Sequence, residues 1–134
     1  MDKSLFEKYE AELNEELHLD EFTLKDAQLK LPSNRHKWVA RLIKQKIELS
    51  KLKNLRKEAL KDISEKVKRD SPVVLSDITA RKSAEEHEIT RKIDEEIEMC
   101  EILILYLDKV VEKVSRGISF DIKNLIELIQ LENT

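Results

Sequence analysis

The stretch from Ile93 to Val114, IDEEIEMCEILILYLDKVVEKV, decides the fold. Its apolar residues follow one another at alternating steps of four and three, the a/d pattern of a helix that packs along its whole length. This heptad stripe consists of Ile93, Ile97, Cys100, Ile104, Leu107, Val111 and Val114. Met99, Leu103, Tyr106 and Val110 form a second stripe beside it. The pattern predicts a long helix that packs on more than one neighbour, and we expect the heptad stripe to drive self-association.

Composition extends this prediction to the whole chain. One glycine and two prolines in 134 residues are too few for the turns of a sheet-rich fold, so the sequence predicts an all-α protein. Equal shares of charged and hydrophobic residues, 40% each, are typical of long helices with narrow apolar seams. A single cysteine excludes an intramolecular disulfide and fits a reducing, intracellular compartment. The longest uncharged apolar run, residues 102–107, is too short to cross a membrane.

Helix signals predict one domain of two long antiparallel helices with short helices at both ends. The predicted segments are 1–32, an N-terminal helix and connector; 33–70, a basic long helix; 71–76, a connector; 77–116, the heptad long helix; and 119–132, a C-terminal helix.

The first boundaries rest on capping residues and a proline. Ser4 and Glu7 have the spacing of a capping box, and the first helix should end near His18. Leu31-Pro32 predicts that residues 19–32 form an extended or partly helical connector, after which Ser33 or Asn34 caps the basic helix.

The later boundaries rest on similar signals. Ser71-Pro72 should end the basic helix, and Ser76 should cap the next one. Gly117 stands where a left-handed residue would close that helix, and Ser119 should open the last one.

Charge is strongly segregated along the chain. Residues 35–69 hold 13 Lys or Arg residues against four acids, about +9, although the whole chain has a net charge of −3. Residues 85–101 hold eight acids against Arg91 and Lys92. Such a basic helix face can bind a line of phosphates without reading sequence. It can equally be a solvated face, or pair with the acidic half of the heptad helix.

Within the basic helix, lysines at steps of four share one face. Lys53, Lys57 and Lys61 form this group, with Arg56 beside it. The predicted DNA-binding residues are Lys53, Arg56, Lys57, Lys61, Lys44 and Arg41. Trp38 lies next to Val39 and Leu42, so we interpret it as a core residue rather than a platform for bases.

No catalytic or metal-binding pattern is present. The sequence has no phosphate-binding glycine loop and no Cys or His pair at metal spacing, and its three histidines lie in different segments. Cys100 occupies a heptad core position, where packing is the better interpretation. We therefore predict a non-enzymatic protein without cofactor or metal.

Two stretches resemble the UvsY family of bacteriophage recombination mediators. The first runs from Asp20-Glu-Phe-Thr-Leu through Leu31-Pro32 to His36-Lys37-Trp38, and the second is the tail from Ser115-Arg116-Gly to Leu125-Ile-Glu. In the family an Arg-Gly, an aromatic and Ile-Lys follow one another, which Gly117, Phe120, Ile122 and Lys123 match. Ile118-Ser119 adds one residue between glycine and aromatic. A family lysine that contacts single strands falls on Lys61, and a second basic position falls on Ile63.

The resemblance implies a ring-like homo-oligomer of six or seven subunits that binds single-stranded DNA. Such a protein helps a RecA-type recombinase to displace single-strand-binding protein, here in the cytoplasm of a phage-infected bacterium. Assembly would gather several basic helices, so that weak phosphate contacts add. The predicted oligomerisation residues are Ile93, Ile97, Ile104, Leu107, Val111, Val114, Phe120, Ile122, Leu125 and Ile126.

Two other functions fit the residues alone. One is a structural or adaptor coiled coil that binds proteins and not DNA. The other is a membrane-surface protein, which the acidic C-terminal helix, with Lys123 as its only cation, disfavours.

Overall fold

Five α-helices account for almost all of the described residues. The computed structural model describes residues 3–18 and 24–132, without the side chains of Lys3, Leu24, Ala27 and residues 117–120. The helices are α1 (Lys3–Leu17), α2 (Leu24–Asp70), α3 (Asp77–Glu86), α4 (Glu88–Glu112) and α5 (Ile118–Glu132), with a π-helical turn, Lys113–Gly117, between α4 and α5. Over the described residues there is no strand, which confirms the all-α prediction.

The two long helices, α2 and α4, pack antiparallel. Residue numbers in paired positions fall on α4 as they rise on α2, since Gln45 meets Cys100 and Arg56 meets Asp94. The chain divides into two compact units: unit 1 contains residues 1–44 and 103–134, and unit 2 contains residues 45–102. The expectation of a single domain stays a prediction.

The core of unit 1 is built from α1, α2, α4 and α5. Trp38, Leu107 and Val114 are fully buried at its centre. The remaining buried members are Tyr9, Leu13, Leu42, Leu103, Val110 and Ile122. Both predicted stripes of the heptad helix contribute to this cluster, which is why α4 can hold α1 and α5 as well as α2.

The core of unit 2 is smaller and uses short side chains. Leu52 and Leu60 of α2 are buried, as is Ile93 of α4. Ala80 and Ala84 of α3 are fully buried. Alanine at a contact lets two helix backbones approach closely, so α3 packs tightly with little apolar area.

The predicted start of the basic helix at Ser33 or Asn34 is wrong, because α2 already begins at Leu24. Residues 24–32 belong to α2, and neither Ser33 nor Asn34 caps it. Pro32 cannot donate to the carbonyl of Gln28, but both residues are exposed and water can satisfy that oxygen. Leu31 packs against the core of unit 1, which favours helix here. Asp20 and Thr23 lie outside the described residues.

The boundary at Ser71-Pro72 is confirmed, and so is the cap at Ser76. The helix α2 ends at Asp70. The side chain of Ser76 accepts from the backbone N–H of Thr79 at 3.2 Å and begins α3. At the other end of the chain, α1 begins at Lys3, so Ser4 lies inside its first turn rather than at its cap.

The single helix predicted for 77–116 is wrong, because the backbone breaks at His87. This residue is extended, with φ −67° and ψ 144°. Its Nδ1 accepts from the N–H of Ile89 at 3.1 Å, and its carbonyl accepts from the N–H of Arg91 at 3.0 Å. The backbone groups of His87 therefore take part both in the end of α3 and in the start of α4.

The predicted end at Gly117 is wrong as well. No glycine in the described chain has positive φ, and the helix passes through the π turn into α5, so Ser119 does not open it. A π turn interrupts the regular hydrogen-bond ladder of the α-helix, so that its carbonyls can accept from outside the helix. Arg35 of α2 donates to two of them, Val114 at 3.4 Å and Ser115 at 3.0 Å.

Candidate nucleic-acid interface

Three predicted DNA-binding lysines share an exposed face of α2 within unit 2. Lys53, Lys57 and Lys61 are exposed. Among the described residues, none of the three has an ion pair. Steps of four residues keep them on one side of a helix, with about 6 Å between neighbours. These side chains are therefore available to an external anion.

Lys46 extends this face and was missed at the sequence level. It lies seven residues, two helical turns, before Lys53, is exposed, and has no ion pair among the described residues. The four lysines, Lys46, Lys53, Lys57 and Lys61, are called the lysine ladder below. It covers about 22 Å of α2. The seven-residue step was the signal that could have identified Lys46.

Arg56 is engaged within the protein. Its Nε donates to the Asp94 carboxylate of α4 at 2.5 Å, and the guanidinium is about one third exposed, 32%. At this one position the basic helix pairs with the acidic half of the heptad helix, which was one of the alternatives that the sequence allowed. A role for Arg56 in DNA binding stays a prediction, and it would require exchange of Asp94 for a phosphate.

The other two predicted DNA-binding residues belong to unit 1. Lys44 is exposed. Arg41 donates to Glu12 of α1 at 2.8 Å, and its guanidinium lies over the rings of Tyr9 and Trp38, 4.6 and 4.8 Å from their centres. Arg41 therefore holds α1 on α2 in this structure and is not presented to a ligand.

Trp38 is a core residue, as its neighbours in sequence predicted. It is fully buried, and its indole N–H donates to the Glu16 carboxylate at 2.6 Å. Tyr9 meets its edge with ring centres 5.7 Å apart. Lys37 pairs with the same Glu16. The indole faces protein on all sides and offers no surface on which a base could stack.

The pKa of the Glu12 carboxyl is lowered, and the largest cause is the hydrogen bond from Arg41. Burial of the carboxyl acts in the opposite direction and raises its pKa, but by less. A carboxyl whose pKa is lower in the folded than in the unfolded state stabilises the fold above its unfolded value. That stabilisation is lost as the pH falls through the folded pKa. Unit 1 should therefore lose stability below about pH 4.5, the ordinary value for this group.

We expect Glu12→Gln to flatten this acid dependence, because the variant has no carboxyl to protonate at this position. Urea unfolding of the wild type and the variant between pH 3 and pH 7 measures it, and their difference in stability should shrink toward acid pH. Glu15→Gln, an exposed change on the same helix, is the control. A constant difference across the range would contradict a role for the Arg41 contact.

The predicted oligomerisation residues line the inside of the chain. Ile93, Leu107, Val114 and Ile122 are buried. Ile97, Ile104, Val111, Leu125 and Ile126 are half-buried, and the side chain of Phe120 lies outside the described residues. Most of the heptad stripe is therefore covered by the chain's own helices, and its use between subunits stays a prediction.

Cys100 completes that stripe as a buried, unreactive residue. Its Sγ donates to the carbonyl of Gln45 at 3.4 Å. Burial raises the pKa of the thiol, which keeps it protonated. This agrees with the interpretation that Cys100 packs rather than reacts.

Several large apolar side chains remain on the surface. Of those on α2 and α4, Ile43 and Ile47 are both 52% exposed, and Leu105 is 63% exposed. These side chains, rather than the centre of the heptad stripe, are the apolar groups that a second protein could contact without unfolding the chain.

Within the described ranges, no three His, Cys, Asp or Glu side chains come together as a metal ion would require. No described helix is both long and apolar enough to span a bilayer.

Comparison with solved structures gives a likeness in fold. No protein-family model matches the chain, and no curated protein does either. A crystal structure of the bacteriophage T4 recombination mediator protein UvsY superimposes with a TM-score of 0.77. The match covers 94% of this chain and 97% of the UvsY chain.

The chain has the UvsY fold. Sequence identity over the match is 17%, so the likeness concerns the fold and not individual site residues. It agrees with the family that the sequence motifs resemble, and it extends over both units and all five helices. A fold match alone does not transfer an activity.

Proposed function

We propose that the protein is a recombination mediator that binds single-stranded DNA through the lysine ladder of α2. It acts without catalysing a reaction and helps to load a RecA-type recombinase onto DNA covered by single-strand-binding protein. The observation that carries the proposal is a line of four exposed lysines without ion-pair partners among the described residues, on a fold shared with a recombination mediator. The setting is the cytoplasm of a phage-infected bacterium.

The charge distribution supports phosphate contacts as the main source of affinity. The ladder lies in the basic segment of a chain with a net charge of −3, so local rather than overall charge must attract DNA. Trp38 is buried, which leaves no described tryptophan for base stacking. Binding of this type is weakly dependent on sequence and steeply weakened by salt.

Assembly would raise the affinity of these modest contacts. In a homo-oligomer of six or seven subunits, several ladders would act on one strand and their contacts would add through effective concentration. Exposed apolar side chains such as Ile47 and Leu105 are available for such contacts. Wrapping the strand across subunits would weaken the hold of single-strand-binding protein and present the DNA to the recombinase.

The test is a double variant of the ladder. Lys57→Gln/Lys61→Gln should weaken binding of a fluorescent single-stranded oligonucleotide about tenfold at moderate salt. The slope of log affinity against log salt should fall by about 1.4, since each lost phosphate contact on a single strand is worth about 0.7. Fluorescence anisotropy at several salt concentrations measures both quantities.

A control on the same helix separates the ladder from general charge. Lys51→Gln/Arg69→Gln removes the same charge from exposed positions on another side of α2 and should change affinity much less. If the two double variants lose affinity equally, the ladder is not the binding face. If the wild type does not bind single strands, the protein is better explained as an adaptor whose exposed apolar residues bind proteins.

A further inference from the structure

Beside the lysine ladder, α2 and α3 enclose a groove of about 450 Å³. Lys57 and Lys61 line one wall and Arg81 of α3 lines the other. The groove exists because Ala80 and Ala84 are fully buried and bring α3 close to α2, while Leu60 is buried at the base. Arg81 directly follows buried Ala80 and is itself 61% exposed, so it stands at the rim.

Charges in the groove favour an anion by a small margin. Its lining holds four cations and three carboxylates. Asp77 is paired with Lys68, which leaves three cations and two carboxylates in the lining. Arg81 lies 3.5 Å from Glu85, but both side chains are exposed, 61% and 45%, and such a pair contributes little. An incoming phosphate can therefore replace Glu85 at the guanidinium, which binds phosphate through two parallel hydrogen bonds.

The groove also contains an unused hydroxyl. Ser64 lines it, and the Oγ of this residue is shielded from solvent and has no hydrogen-bond partner among the described residues, so it reaches a bound anion by rotation of the side chain. A shielded hydroxyl without a partner costs free energy, and a phosphate oxygen is an acceptor that would remove that cost. Ser64 follows Lys57 by seven residues, so both lie on the same side of α2.

We propose that this groove holds one backbone phosphate of the bound strand, between Lys61 and Arg81 with the Ser64 hydroxyl donating to it. The proposal rests on the proposed function and adds α3 to a contact surface that the sequence placed on α2 alone. The strand then leaves the ladder sideways at Lys61 and passes over α3.

Arg81→Gln tests the contact with α3. It should weaken binding of a single-stranded oligonucleotide about threefold to tenfold and lower the salt slope by about 0.7. Lys82→Gln removes the same charge from the next, exposed residue of α3, which does not line the groove, and should have a smaller effect. Equal losses in the two variants would overturn the proposal while leaving the ladder in place.

A second measurement does not depend on DNA binding. Pyrophosphate titrated into the isotope-labelled protein should shift the NMR resonances of Ser64 and the Arg81 side chain, and Arg81→Gln should abolish the shift at Ser64. Ser64→Ala should weaken oligonucleotide binding without destabilising the fold, because its hydroxyl has no hydrogen-bond partner in the described part of the chain. If the wild type binds no oligonucleotide but pyrophosphate shifts the resonances of both residues, the groove binds phosphate and the proposed function is wrong. Absence of any shift overturns the groove.

Discussion

Replacing Trp38 with alanine is expected to lower the free energy of unfolding of unit 1 by about 3–5 kcal/mol, the range for removing a large buried aromatic ring. Trp38 is fully buried and contacts Tyr9 by its edge. Its N–H donates to Glu16, and Arg41 lies over its ring. The alanine variant therefore leaves a cavity and removes contacts that join α1 to α2.

The conservative variant Trp38→Phe separates packing from hydrogen bonding. It keeps most of the ring and should cost less, about 1–2 kcal/mol, since a donor to a carboxylate is lost. Because Trp38 is the only tryptophan, unfolding is followed by circular dichroism rather than fluorescence. An alanine variant as stable as the phenylalanine variant would show that α1 is not held by this ring.

Leu107→Ala is expected to lower the free energy of unfolding by about 2–5 kcal/mol. Leu107 is fully buried at the centre of the core of unit 1. The neighbouring Leu105 is 63% exposed, and Leu105→Ala should change stability by less than about 0.5 kcal/mol. Urea unfolding of the two variants tests which side of α4 forms the core.

The same pair of variants decides whether the heptad stripe is an interface between subunits. A stripe buried within one chain predicts that Leu107→Ala destabilises the protein equally at every protein concentration. An interface predicts that the variant dissociates an assembly, which light scattering would record as a fall in mass and which dilution would enhance. Dissociation without loss of subunit stability would contradict the packing of Leu107 described above.

Local signals predicted the helical class and several boundaries. Ser71-Pro72 and Ser76 act through the backbone of their own turn, so their effect can be read from a few residues. Pro32 and His87 could not be interpreted in this way. The helix around Pro32 is favoured by the packing of Leu31, which is a tertiary effect. The break at His87 uses local hydrogen bonds, but histidine is not among the residue types that usually cap a helix.

The candidate site shows the same division. Spacing predicted the shared face of Lys53, Lys57 and Lys61, because helical period alone determines it. It could not predict that Arg41 and Arg56 are occupied, since their partners, Glu12 and Asp94, lie 29 and 38 residues away. For the same reason the heptad stripe indicated that this helix packs along its length. It did not indicate which helices cover it, or whether they belong to the same chain.

The π turn at Lys113–Gly117 explains how α5 reaches its position. A π turn contains one residue more than an α turn over the same stretch. Without such a turn, one inserted residue would rotate the helix beyond it by about 100° about its axis. Ile122, now buried, would leave the core. The π turn therefore accommodates one extra residue in the helix. Every apolar position beyond it keeps its orientation toward the core.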